Sequence, residues 1–122
     1  MSWTPLLTIG AVVAVVFILK RTGQISARDA LVHLRDGALI IDVRSPGEFN
    51  SGHLPGAINL SLDEIETTLP AKVKDKSRPL LLHCASGMRS AAVQRKLKGM
   101  GYPNAFNLGA YGRAERIVES SK

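Results

Sequence analysis

The stretch Leu80-Leu81-Leu82-His83-Cys84-Ala85-Ser86-Gly87-Met88-Arg89-Ser90 decides the fold. Leu80 to His83 is a short apolar run, the pattern of a strand covered on both faces. A thiol follows at once, then small residues, then Arg89. Ser90 to Met100 next reads as an amphipathic helix that stops at Gly101. Strand, tight loop and helix make the repeating unit of an α/β domain, and such domains gather their chemistry at the C-terminal ends of parallel strands.

The same alternation extends in both directions. Upstream, Ser26 with Asp29 three residues on marks a helix start, Leu31 and Leu34 lie on its inner side, and Gly37 ends it. Ala38 to Val43 is a second buried strand, with Asp42 near its end. Ser45-Pro46-Gly47-Glu48 is a capping box with proline at the first helical position, which predicts a short helix through Phe49. Gly52 to Gly56 is a turn and Ala57 to Leu60 a short strand. Ser61 with Glu64 predicts a third capping box, for a helix closed by Pro70. Downstream, Ala105 to Leu108 is a last strand and Ala114 to Ser120 a last helix. The expected architecture over residues 22–122 is α/β, with a central, mainly parallel sheet flanked by helices.

The first residues differ in kind. No charged side chain precedes Lys20 in this 122-residue chain, so all 16 basic and 10 acidic residues belong to the rest. As a helix, Trp3 to Leu19 would span roughly 25 Å, the short end of what crosses a bilayer. Trp3 would sit at one interface, and Lys20 and Arg21 at the other. A cleavable signal would need its positive charges before the apolar run, whereas here they follow it. A core helix apolar on every side has little to hide in within so small a domain. The expectation is therefore a transmembrane anchor over residues 1–21, contacting the membrane through residues 3–19. The basic residues after the anchor place the domain in the cytoplasm, with a bacterial inner membrane as the natural host.

The net charge of +6 admits anionic partners. Nucleic acid is disfavoured, because Lys and Arg are scattered among acidic residues, aromatics are few, and no nucleic-acid-binding motif spacing is visible. The single cysteine, Cys84, excludes an intrachain disulfide and a cysteine-based metal site. Any sulfur chemistry at Cys84 must be resolved by a second molecule, which suits a reducing compartment.

A free cysteine is most often a small buried hydrophobe. The context of Cys84 argues otherwise. A short strand-to-helix loop turns successive backbone N–H groups inward, and the helix N-terminus adds its positive end. Gly87 permits close backbone approach, and Arg89 contributes a fixed charge. All of these favour the thiolate, which is the nucleophilic form. The spacing Cys-x4-Arg is one residue shorter than the Cys-x5-Arg loop of cysteine phosphatases, so a tetrahedral phosphate fits poorly and a smaller sulfur substituent fits better.

Cys84-Ala85-Ser86-Gly87-Met88-Arg89-Ser90 resembles the active-site loop of rhodanese-family sulfurtransferases. Ile41-Asp42-Val43-Arg44 with Glu48-Phe49, and Gly52-His53-Leu54-Pro55-Gly56-Ala57, resemble two further motifs of that family, in the same order. The resemblance spans about Ile25 to Arg113. It implies a rhodanese-like domain that moves sulfane sulfur from a donor such as thiosulfate to cyanide, a thiol or a protein cysteine, through a Cys84 persulfide and without metal or organic cofactor. It further implies that the amides of Ala85, Ser86, Gly87, Met88 and Arg89 hold the persulfide, that Arg89 and Ser90 position the donor, and that Asp42 and Arg44 support the loop. His53 reads as structural, and His83 points away from Cys84, being its neighbour in a strand. One departure stands out. The family commonly closes with Leu-x-Gly-Gly and a nearby Trp, whereas this chain has Leu108-Gly109-Ala110-Tyr111, and its one Trp is Trp3.

Overall fold

The side chains of the strand before Cys84 alternate between two separate cores, and this defines the layers. Leu80, Leu82 and Cys84 face a cluster containing Ile41, Val93, Leu97 and Tyr102. Leu81 faces a second cluster containing Ile40, Leu108, Ala114 and Ile117. The computed structural model describes residues 23–122. Among them the order is α1 (Ala27–Arg35), β1 (Leu39–Asp42), α2 (Pro46–Asn50), β2 (Ile58–Asn59), α3 (Ile65–Lys72), β3 (Leu80–Cys84), α4 (Met88–Gly99), β4 (Ala105–Ala110) and α5 (Tyr111–Ser120). The strands form one sheet in the order β2-β1-β3-β4, with every pairing parallel. Helices α1 and α5 supply residues to one core, and α3 and α4 to the other. The α/β reading with a parallel sheet flanked by helices is thus the architecture observed. The expected anchor over residues 1–21 lies outside the described residues. Among the described residues no helix is long and apolar enough to cross a membrane.

Two of the three serine caps expected at helix starts form as read. Ser26 Oγ accepts the N–H of Asp29 at 3.1 Å. At α2 the reciprocal box is complete: Ser45 Oγ accepts Glu48 N–H at 3.2 Å, and Glu48 Oε1 accepts Ser45 N–H at the same distance. The third does not form. Helix α3 begins at Ile65, behind Glu64, which makes no side-chain cap. The Ser61 carbonyl accepts the N–H of Glu64 and of Ile65 and so leads into the helix, while the N–H of Leu62 still bonds Val43 O and the Ser61 side chain makes no cap. Pro70 does not end α3 either but lies inside it. Fully buried Ile65 and Leu69 hold the helix, which runs only to Lys72, so a single missing donor is tolerated.

The β3–β4 ladder contains one irregularity next to the cysteine. Leu82 pairs with Asn107, but His83 pairs with Gly109, so Leu108 is an extra residue. Such a bulge re-aims neighbouring side chains. Gly109 has φ +94°, and a Cβ there would lie 2.7 Å from Gln24 Nε2. Ala110 has φ −71°, which any residue adopts, so alanine in place of the family's second glycine requires no change of backbone.

Candidate active site

Cys84 is the last residue of β3 and is fully buried. The chain turns at Gly87, whose φ of +93° caps α4. This helix starts at Met88, two residues before the expected Ser90, and Arg89 and Ser90 therefore fall in its first turn, where backbone N–H groups have no partner within the helix. The sulfur uses them. Gly87 N–H donates to Cys84 Sγ at 3.0 Å and Ser90 N–H at 3.4 Å. The Ser90 hydroxyl lies 3.5 Å from the same sulfur. Burial, the largest influence, pushes the Cys84 thiol up. The hydrogen bonds from the Ser90 hydroxyl and from the amides of Ser90, Gly87 and Ser86 together outweigh it, so the thiol is held below its ordinary value.

The structure separates the residues that the resemblance treats together. Ser90 is fully buried behind the sulfur, so it meets Cys84 rather than the outer face of the loop. Its one hydroxyl proton faces three acceptors: Asn107 Oδ1 at 2.7 Å, Gly87 O at 3.2 Å and the sulfur. An ionised sulfur makes a charge-assisted bond and so competes well for that proton. Asn107 Oδ1 also accepts the N–H of Gly109 at 2.8 Å, and this bond depends on the bulge. Asn107 escaped the sequence reading because nothing in its local pattern marks it; the bond to Ser90 spans 17 positions. Gly87 packs against the same place, since a Cβ on it would lie 3.3 Å from the Gly109 backbone.

The outer side of the loop is exposed at Ala85, Ser86 and Met88, Met88 at 77%. Arg89 does not stand free. Its Nη1 and Nη2 donate to Glu48 Oε1 and Oε2 at 2.6 and 3.0 Å. Glu48 is thereby held down to about 2, first by Arg89 and then by the Ser45 backbone N–H. The capping-box glutamate of α2 is thus also the partner of the loop arginine, a second role that the local pattern does not disclose.

Asp42 and Arg44 form a buried pair. Asp42 is fully buried and Arg44 is 9% exposed. Asp42 accepts Arg44 N–H, Nε and Nη2, the last at 2.7 Å, and Arg44 Nη2 also donates to Gly52 O at 2.7 Å. Asp42 raises the Arg44 guanidinium above its ordinary value. Among the described residues, no hydrogen bond joins this pair to residues 84–90. It ties the end of β1 to the turn after α2, the helix that carries Glu48. Tyr111 bonds Ala85 O through its backbone N–H, while its ring covers the Arg44 guanidinium at 4.7 Å and meets His83 edge-on. His53 Nδ1 donates to Phe49 O and the ring stacks on that of Phe49, the structural part read for it.

The geometry is therefore a buried, amide-solvated sulfur at the end of a parallel strand. Known proteins resemble the chain in sequence and in fold. The chain is 35% identical over 69 residues to the thiosulfate sulfurtransferase PspE of Escherichia coli (strain K12), covering 57% of this chain and 66% of that protein. It is 28% identical over 85 residues to the thiosulfate sulfurtransferase GlpE of Pseudomonas entomophila (strain L48), covering 70% and 76%. The solved structure of the human single-domain sulfurtransferase TSTD1 superposes with a TM-score of 0.65 at 26% identity, covering 77% of this chain and 96% of that one. Residues 26–111 match the family model of the rhodanese-like domain, and the chain belongs to that family.

Proposed function

We propose that this protein is a sulfurtransferase that carries sulfur on Cys84. The observation behind the proposal is the solvation of one buried sulfur by Gly87 N–H, Ser90 N–H and the Ser90 hydroxyl, which stabilises a thiolate and, after loading, a persulfide. With thiosulfate as donor, the Cys84 thiolate attacks the outer sulfur. The Cys84 S–S bond forms, the donor's S–S bond breaks, and its electron pair leaves with sulfite. An acceptor nucleophile (cyanide, a thiol or a protein cysteine) then attacks the outer sulfur of the persulfide and releases the Cys84 thiolate. The site residues in this reading are Cys84 as nucleophile, the 85–90 segment as cradle, and Asp42 and Arg44 as support for the neighbouring turn.

Residues 1–21 form a membrane anchor in this proposal, with residues 22–122 as the catalytic domain on the cytoplasmic side. The support is the charge-free run before Lys20 and the basic residues after it. Extraction of membranes with alkaline carbonate tests the anchor, which predicts retention in the membrane pellet. A tethered persulfide relay with little thiosulfate activity is the second reading, supported by the same run, because a tether holds the domain beside a membrane partner. Intact-mass spectrometry after thiosulfate treatment tests the chemistry. One added sulfur on the wild type, absent from Cys84→Ser, is the expected result; an unmodified wild type would sink thiosulfate as donor.

A further inference from the structure

The states through which Cys84 passes differ in what its Sγ can do. As a thiol it has a proton to donate. As a thiolate it holds the charge and only accepts. As a persulfide Sγ is bonded to carbon and to the outer sulfur, which takes the charge, so Sγ neither donates a proton nor strongly attracts one. A hydroxyl that solvates the thiolate therefore needs another acceptor in the other states, because a buried donor left without one is costly.

Asn107 on β4 supplies that acceptor. Ser90 and Asn107 are both buried, and Asn107 Oδ1 lies 2.7 Å from Ser90 Oγ. A carbonyl oxygen only accepts, so at this distance the hydroxyl proton points at Asn107. The competing acceptors are farther away, Gly87 O at 3.2 Å and the sulfur at 3.5 Å. With its proton on Asn107, Ser90 Oγ turns a lone pair to the sulfur. A Cys84 thiol then completes a chain from Sγ–H to Oγ–H to Oδ1, which favours the protonated form. On ionisation the hydroxyl rotates to the sulfur. Asn107 stays satisfied, because Oδ1 also accepts the Gly109 N–H and Nδ2 faces Gly87 O. The charged and titratable groups around the sulfur are Arg89 of α4, paired with Glu48 of α2, and, on the other face of the sheet, Asp42, Arg44, His83 and Tyr111. None of them makes a side-chain hydrogen bond to Ser90 or Asn107 among the described residues.

We infer that Asn107 is a positioning residue acting through Ser90: it holds the hydroxyl proton while Cys84 is protonated or loaded, and releases it to the thiolate. The consequence for sulfur transfer rests on the function proposed above. In loading from thiosulfate the Sγ–S bond forms, sulfite leaves with the electron pair of the broken bond, and the negative charge passes from Sγ to the outer sulfur. The Ser90 hydroxyl then returns to Asn107. Asn107 thereby favours the loaded protein over the empty thiolate and slows the loss of sulfur to an acceptor.

Asn107→Leu stays close to the side-chain shape and removes the acceptor. The pH profile of iodoacetamide alkylation, taken on the full-length protein in mild detergent, reads the effect. N107L should ionise at lower pH, with about five-fold more thiolate at neutral pH, opposite in sign to Ser90→Ala. In the Ser90→Ala background the same substitution should change the thiolate fraction by less than about two-fold, since Asn107 then has no hydroxyl to hold. Loaded N107L should lose its sulfur to cyanide about five-fold faster than the loaded wild type, followed by intact mass. Should N107L not fold, the wild type carries the test: the Asn107 side-chain carbonyl carbon, observed by NMR, should shift as Cys84 ionises and return towards its thiol position on loading. An N107L profile unmoved or moved to higher pH, an equal shift with and without Ser90, a discharge no faster than wild type, or a carbonyl signal indifferent to ionisation would overturn the inference and leave sulfur transfer untouched. A wild type that takes sulfur neither from thiosulfate nor from a hydropersulfide would overturn the sulfurtransferase reading, while the alkylation profiles, which need no donor, would still decide the part played by Asn107.

Discussion

His83 and Cys84 are neighbours in β3, both fully buried, and face opposite sides of the sheet. Their surroundings could hardly differ more. The sulfur meets two amides and a hydroxyl. Neither ring nitrogen of His83 meets a hydrogen-bonding partner among the described residues, and its nearest charge, Asp42 Oδ2, is 3.9 Å away and already engaged by Arg44. Burial first, and the Arg44 charge as well, lower the His83 imidazole below its ordinary value, against the opposing pull of Asp42. One side of the strand end is thus arranged to hold charge on a reactive atom. The other keeps its titratable ring neutral and uses it as packing beside a closed ion pair.

The comparison breaks most severely at the nucleophile. Cys84→Ser is nearly isosteric, so sulfite release should fall by about 10³-fold or more, with unfolding free energy changed by less than about 1 kcal/mol. Retention of sulfur transfer would mean that the amide cradle is not the reacting site. On the opposite side, Asp42→Ala strands a buried guanidinium and should lower stability by about 3–5 kcal/mol, read from denaturant midpoints. A loss under about 1 kcal/mol would show that Arg44 finds water as easily as Asp42.

Smaller changes sharpen the contrast. Ser90→Ala removes a donor to the sulfur, and the thiol should then ionise at higher pH, with about several-fold less thiolate at neutral pH. The pH profile of alkylation by iodoacetamide measures this, and an unmoved profile would assign the sulfur's solvation to the amides alone. His83→Phe should alter stability least, by under about 1 kcal/mol at neutral pH, because no hydrogen bond is lost. Its effect is in the pH dependence. Since the folded imidazole binds a proton less readily than the unfolded one, the unfolded state takes up more protons below about pH 6.5, and the wild type loses stability as pH falls through that value towards the lower, folded one. His83→Phe should flatten this part of the curve, and an unchanged slope would place the titration elsewhere.

Features set by near neighbours in sequence were legible before the structure. The cap at Ser26 and the capping box at Ser45 depend on contacts three positions apart, and the box at Ser45 fits Pro46 at the helix start. The strand before Cys84 and the opposite aim of His83 follow from apolar runs and two-residue alternation. The same local logic failed at Ser61 and Pro70, where the tie from Leu62 to Val43 and the burial of Ile65 and Leu69 override it. Half of the site was out of reach for a related reason. Glu48 and Arg89 are 41 positions apart, and Ser90 and Asn107 are 17 apart on different elements.

By itself the sequence determined the α/β alternation, the cysteine at a strand end, the glycine turn after it and the arginine that follows, because these are matters of period, spacing and backbone freedom within a few residues. Only the tertiary structure decided which groups touch the sulfur, that Ser90 lies behind it, and that Arg89 is already paired. Those outcomes depend on how the strands register and on which helix ends meet over them, and a linear order of residues does not state such distances.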